Sequence, residues 1–269
     1  MMEQDIKERI ADEDKKRRGK FWINIVVCGL FGGVIGFATA FLADMGGDAF
    51  DKPFLELFAD FQRDLSSPFR ILLVVSGIVF WILAEMAYRK AKKLWENAED
   101  QDEVYEKVDN ILSSGMAYTS VMNILNFICF GVANYMLPKN MHRDLSWVFW
   151  ATIIFFTIFV FVSFYLQHKT VNFLKEMNPE KRGSLYDKKF QDKWFESCDE
   201  AEKMQIGLAS YHAYRAVNIL CTGLTAVLIL AGMVFEIGIL PLFIVGAIWM
   251  TQIIVYQIAG YKAQKMLNK

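Results

Sequence analysis

Residues 147–166 read WVFWATIIFFTIFVFVSFYL, twenty positions without one charged side chain. A helix rises 1.5 Å per residue, so such a block spans the ~30 Å hydrocarbon core of a bilayer. It lacks the period-2 alternation of an outer-membrane barrel strand, and it is too long for one. Five further blocks have the same character, at 21–43, 71–88, 116–137, 211–235 and 238–260. The six contain only two charges, Glu85 and Arg215, each near a block end. A charge at the centre of a span costs ~2.5–3.5 kcal/mol on insertion scales, so this placement suits lipid-facing helices. The expected fold is all-α, with six transmembrane helices arranged as three same-orientation hairpins and amphipathic cytoplasmic extensions.

The 269-residue chain is 54% hydrophobic and 22% charged, with a formal charge of −1. The charges are packed between the apolar blocks rather than mixed through them. That pattern excludes a disordered chain, an ordinary soluble α/β enzyme and a strongly basic nucleic-acid binder. The first block has Ala38-Thr39-Ala40 near its end, a little like a signal-peptide cleavage site. Twenty highly charged residues precede it, however, and its apolar run is too long, so it reads as a retained span.

Orientation follows lysine and arginine. Segments 1–20, 89–115, 167–205 and 261–269 together carry 23 of them. Segments 44–70, 138–146 and 236–237 carry five. The first set is therefore expected to be cytoplasmic, with both termini, and the second outward. Acidic residues nearly balance the cations on the cytoplasmic side. No cysteine falls in an outward segment, so no structural disulfide is expected, and the cysteine spacings suggest no metal.

Sliding the chain on itself by 92 residues places Gly115, Ala117, Asn126, Cys129 and Gly131 on Gly207, Ala209, Asn218, Cys221 and Gly223. Asn24 and Gly29 match Asn126 and Gly131 more weakly. This self-similarity suggests hairpins repeated about an axis along the membrane normal.

The connections also carry a pattern. In 89–115, Val104, Val108, Ile111 and Leu112 form an apolar stripe. In 167–205, Pro179 and Gly183 punctuate the chain, and Ser184 to Asp187 resembles a helix capping box. Phe190, Trp194, Cys198, Ala201 and Met204 follow at helical spacing, with Phe195 beside Trp194. One amphipathic helix running into the fifth span is expected. Tyr186, Phe190, Trp194, Phe195, Val104, Val108 and Ile111 are the candidate surface for a cytoplasmic protein partner, or they pack on each other. In 44–70, Asp51, Pro53, Phe54, Phe58, Phe61 and Leu65 predict a helix on the outer leaflet, or a lid over an outward cavity.

Amides inside spans need partners, because an unpaired amide in hydrocarbon is costly. Asn24, Asn126, Asn218 and Gln252 either bond between helices or, with Arg215, line a polar path. Gly29/Gly33 and Gly32/Gly36 are overlapping small-xxx-small pairs, suited to close packing within the subunit or, secondarily, to a second copy. Glu85 and Arg89 are spaced for an i,i+4 ion pair.

Catalytic motifs are missing. The sequence has no phosphate-cradling glycine loop, no HExxH and no GxSxG. The three histidines, 142, 168 and 212, are far apart in sequence. No cofactor, metal or direct nucleic-acid contact is expected, and the chain is not expected to be an enzyme.

The stretch MNPEKRGSLYD (177–187), continuing through Phe190, Trp194 and the run SCDEAEK (197–203), resembles the signature of a family of unknown function. Its members are polytopic membrane proteins of Gram-positive bacteria. The resemblance implies a bacterial plasma membrane location and brings no activity with it. The expected role is a regulatory or accessory subunit holding a transcription regulator or a transporter ATPase. The alternative is a small-molecule transporter with a polar path between its helices.

Overall fold

The fold is described from a computed structural model, which places residues 2–45, 52–134, 143–234 and 239–267. Side-chain surroundings are described for residues 4–34, 67–134, 147–231 and 239–261. Among the described residues the chain is helical apart from short turns and the 178–189 segment, with no strand. Seven helices follow in order: α1 Met2–Met45, α2 Lys52–Glu96, α3 Gln101–Asn134, α4 Arg143–Met177, α5 Phe190–Glu196, α6 Glu200–Val234 and α7 Leu240–Leu267.

Five of these segments are long and apolar enough to cross a membrane: Ser67–Glu96, Gln101–Asn134, Trp147–Met177, Glu200–Ala231 and Leu240–Tyr261. They mark a membrane protein. The sixth expected span, 21–43, lies on α1 but runs beyond the residues whose side chains are described. Outward segments 138–146 and 236–237 lie wholly or mostly outside the described residues.

The expected extensions are not separate pieces. The helix predicted in 44–70 is, from Lys52 on, continuous with the second span in α2, while its expected cap Asp51 lies outside the described residues. That helix passes through Pro68, whose missing N–H leaves the Asp64 carbonyl without its usual helical donor. The 89–115 segment is divided between the end of α2 and the start of α3 by a turn at 97–100, and its apolar stripe lies wholly on α3. The helix expected to run from Phe190 into the fifth span is broken. It stops at Glu196, and α6 starts at Glu200. The cause is a capping box at Asp199. Its carboxylate accepts the Glu202 N–H at 2.7 Å, and the Glu202 carboxylate accepts the Asp199 N–H at 3.1 Å.

The chain forms two compact units, 1–197 and 198–269. In the first, α2 lies along α3, α4 packs on both, and α1 packs on α4. Of the three expected hairpins, the contacts among the described residues include the α3–α4 and α6–α7 pairs, alongside α2–α3 and α1–α4. A core at one end joins Ala91, Val108, Leu112, Phe173, Leu174 and Met177. A second core joins Leu73, Cys129 and Phe159. Arg70 donates to the Ala133 carbonyl at 3.0 Å, tying α2 to the last turn of α3, where a cation also suits the helix dipole. In the second unit α6 pairs with α7. Trp249 Nε1 donates to Asn218 Oδ1 at 2.8 Å, and Gln252 Nε2 donates to the Tyr214 carbonyl at 3.0 Å.

Close packing uses glycines other than those expected. Among the described residues, a Cβ built on Gly29, Gly32 or Gly33 meets nothing within 4 Å. Gly36 lies outside the residues with described surroundings. A Cβ on Gly77 would sit 2.4 Å from the Phe159 ring, so only glycine admits that ring between α2 and α4. At Gly115 it would meet Ala87 Cβ at 3.3 Å. Gly77→Val is therefore expected to destabilise the protein by about 2 kcal/mol through overpacking. Gly32→Val should change stability by less than about 0.5 kcal/mol. Thermal unfolding of both variants in one detergent checks the contrast.

Candidate functional site: a charged junction at the helix ends

The densest polar chemistry gathers where α1, α4 and the 178–189 segment meet. At its centre is the Asp14 carboxylate on α1. His168 Nε2 donates to Asp14 Oδ2 at 2.7 Å, and Asn172 Nδ2 reaches the same oxygen at 3.3 Å. Both come from α4, one turn apart. Ser184 Oγ donates to Asp14 Oδ1, and itself accepts the Tyr186 N–H at 3.3 Å. This corrects the expected capping box: Ser184 serves Asp14, and α5 begins at Phe190 with no side-chain cap.

The rest of the segment is fastened the same way. Asp187 accepts from Arg17 of α1 at 2.8 Å and pairs with Lys193 of α5 at 2.7 Å. Arg9 donates to the Pro179 carbonyl at 2.8 Å. Lys175, fully buried on α4, pairs with Glu13 at 3.1 Å. Arg182 N–H reaches Ser197 Oγ at 3.1 Å. Gly183 has φ +113°, a conformation that disfavours a side chain, and a Cβ there would meet the Phe190 ring at 3.2 Å. Phe21, Phe164, His168 and Tyr186 stack beneath, with ring centroids 5.0–5.5 Å apart for the pairs Phe21–Phe164, His168–Tyr186 and Phe164–Tyr186.

The electrostatics favour ionised carboxylates. Burial pushes the Asp14 carboxyl up, but hydrogen bonds from His168 and Ser184, the charge of His168 and the Asn172 bond outweigh it. The net position is below the ordinary carboxylate range. Burial also pushes Asp187 up, and Lys193, the Lys189 N–H and Arg17 bring it below its ordinary value. The residue order differs from a hydrolytic triad. There, histidine bridges the acid and the hydroxyl. Here the acid lies between histidine and a buried serine.

The chain belongs to the DUF3169 family of proteins of unknown function. The family model matches residues 15–259, from Lys15 on α1 to near the end of α7. No curated protein and no solved structure matches the chain. In this DUF3169 member, an open groove of about 890 Å³ borders the junction. Its walls include Lys15, Arg18 and Trp22 of α1, His168 and Glu176 of α4, and Tyr186. Among the described residues no group of three or more His, Cys, Asp and Glu could hold a metal ion.

The candidate partner residues are placed variously. Val108 is 0% exposed, and Val104, Ile111 and Trp194 pack against the same core, so the stripe is used internally. Phe190 turns toward Gly183 and Trp194, with ring centroids 5.5 Å apart in the second pair. Phe195 is 46% exposed, and Tyr186 lines the groove. The polar candidates are divided between the two units, Asn24 and Asn126 in the first and Asn218, Gln252 and Arg215 in the second. Asn24 is half-buried on α1, and Arg215 is exposed on α6. Asn126 is fully buried, with both amide atoms unpartnered among the described residues. Near it in sequence on α3, Asn123 donates to Ser163 at 2.8 Å, and Gln167 donates to Thr119 at 3.1 Å.

The expected Glu85–Arg89 pair forms at 2.7 Å. Sequence reading missed its third member, Lys169 of α4, 3.2 Å from Glu85 and 3.9 Å above the Tyr88 ring.

Asp14→Asn is expected to cost about 2–3 kcal/mol, since it weakens charge-assisted bonds and leaves buried partners unsatisfied. That corresponds to roughly a 30–150-fold rise in the undocked population. Cleavage within 178–189 by a protease reads it. Acid should do the same. Asp14 and Asp187 have depressed pKa values when folded, so their stabilisation is present above the ordinary value of 3.8 and is lost as pH falls through their folded values. Acid-protease cleavage across that range checks the sign.

Proposed function

We propose that this chain is a non-enzymatic integral membrane protein, a regulatory or accessory subunit that binds a cytoplasmic protein partner. The reading includes a first span at 21–43, both termini in the cytoplasm and a bacterial plasma membrane, in keeping with the lysine and arginine bias. The partner class is a transcription regulator or a transporter ATPase. One observation carries it: residues 178–196 form an ion-paired platform at the end of the helices, with Phe195 presented outward. An apolar ring on a fixed, charged frame is suited to a protein contact, since large aromatic side chains dominate interface energetics. The platform's acid, histidine and serine are spent on holding it together.

Phe195→Glu should abolish co-purification of the partner after crosslinking in cells, while thermal unfolding of the purified variant stays unchanged. Unaltered partners would overturn the surface. Phe190 and Trp194 are unsuitable for the test because they hold the platform from within.

A second reading is a small-molecule transporter. It is favoured by the unpartnered amide of Asn126 beside the Thr119–Asn123–Ser163–Gln167 seam, since a buried polar group without a partner costs about 1–3 kcal/mol. Substrate uptake by vesicles holding Asn126→Leu separates the readings: transport predicts loss of uptake, and a packing role predicts none to lose.

A further inference from the structure

The groove beside Asp14 has a charge pattern that the platform does not use. Residues 15–20 read KKRRGK, five cations in six positions immediately before the apolar block at 21–43. Clusters of this kind next to a span attract anionic lipid headgroups. The structure divides the cluster by direction. Arg17 is taken by Asp187 at 2.8 Å. Arg18, one residue on, faces the groove and makes no hydrogen bond or ion pair among the described residues. Lys15 lines the same groove and is shared with a smaller, acid-bearing one containing Glu8 and Asp12, so Arg18 carries the larger share. Of the two groove acids, Asp14 is consumed by His168, Ser184 and Asn172, which leaves Glu176. Trp22 forms the wall nearest the apolar block, where an amphipathic ring suits the headgroup level.

We infer that this groove binds a phosphate-bearing anionic group, with Arg18 and Lys15 holding the phosphate and Trp22 flanking the attached chain. The position at the start of 21–43 favours an anionic phospholipid over a soluble phosphate ester. Arginine suits the task, since its planar fork can take two phosphate oxygens at once. The inference rests on 21–43 crossing the membrane and is independent of any protein partner.

The test uses the full-length protein in nanodiscs of phosphatidylcholine, with and without phosphatidylglycerol, and native mass spectrometry to count retained lipid. The wild type should retain phosphatidylglycerol selectively. Lys15→Gln with Arg18→Gln should weaken retention roughly 30-fold, at about tenfold or less per juxtamembrane cation. Glu176→Gln should strengthen it. Lys16→Gln with Lys20→Gln removes equal charge outside the groove, so an equal loss there would overturn a built site in favour of a diffuse field. Unchanged thermal unfolding of each variant in pure phosphatidylcholine shows that folding is intact. Glycerol phosphate added to phosphatidylcholine discs separates the sources: stabilisation by it alone supports the phosphate site and makes the ligand soluble. Stabilisation by neither overturns the inference. Protection of Cys28 from a water-soluble maleimide, read by peptide mapping, reports on the span separately, so its failure would fall on the span and not on the groove.

Discussion

A bilayer core offers no hydrogen-bond partner, so backbone inside it must satisfy itself. The long helices answer that constraint, and the placement of charge follows from it. Cations and acids excluded from the apolar blocks collect at the helix ends, where they meet each other. The Asp14 junction and the Glu85–Arg89–Lys169 cluster are both products of that sorting. Their near balance of sign lets opposite charges pair across elements instead of leaving a uniformly basic face. The exception is the short run at 15–20, where cations outnumber the acids within reach.

How far the fold can be read from sequence depends on range. The apolar blocks are local, and five of them coincide with long helices. The Glu85–Arg89 pair lies within one turn and forms as spaced. The candidate site was mostly hidden. Asp14 meets His168 and Ser184, 154 and 170 residues away, and no periodicity links them. The KKRR run was visible, but only packing separates Arg17, which is paired, from Arg18, which faces the groove. The capping box was misplaced because Ser184-x-x-Asp187 and Asp199-x-x-Glu202 look alike as strings. The first has a better partner in Asp14, while the second is followed by a long helix.

Small residues teach a similar lesson. The Gly29–Gly36 set has the spacing of a packing motif, yet its described members face open space. Gly77 and Gly115 carry no obvious motif, yet a Cβ at either would press on a side chain of a neighbouring helix. The self-similarity of the third and fifth blocks is likewise met by different surroundings. Asn126 is buried without a hydrogen-bond partner among the described residues, and Asn218 accepts from the Trp249 indole. A Cβ built on Gly115 would meet Ala87, and one on Gly207 would meet nothing within 4 Å among the described residues. Matching positions therefore do not share matching environments.

The ties between α1 and α4 also set an order of events during synthesis. Glu13, Asp14 and Arg17 leave the ribosome early, and their partners Lys175, His168 and Asp187 follow more than 150 residues later. At ~5–20 residues per second, that delay is roughly 10–30 s. During it the helices α2 and α3 can close on each other through a four-residue turn, at little loop-closure cost. Helix α1 thus docks on α4 only after α2 and α3 have met. Until it does, Lys175 has no carboxylate to bury against, which keeps that end of α4 hydrated and the assembly open to whatever else is present at the membrane surface.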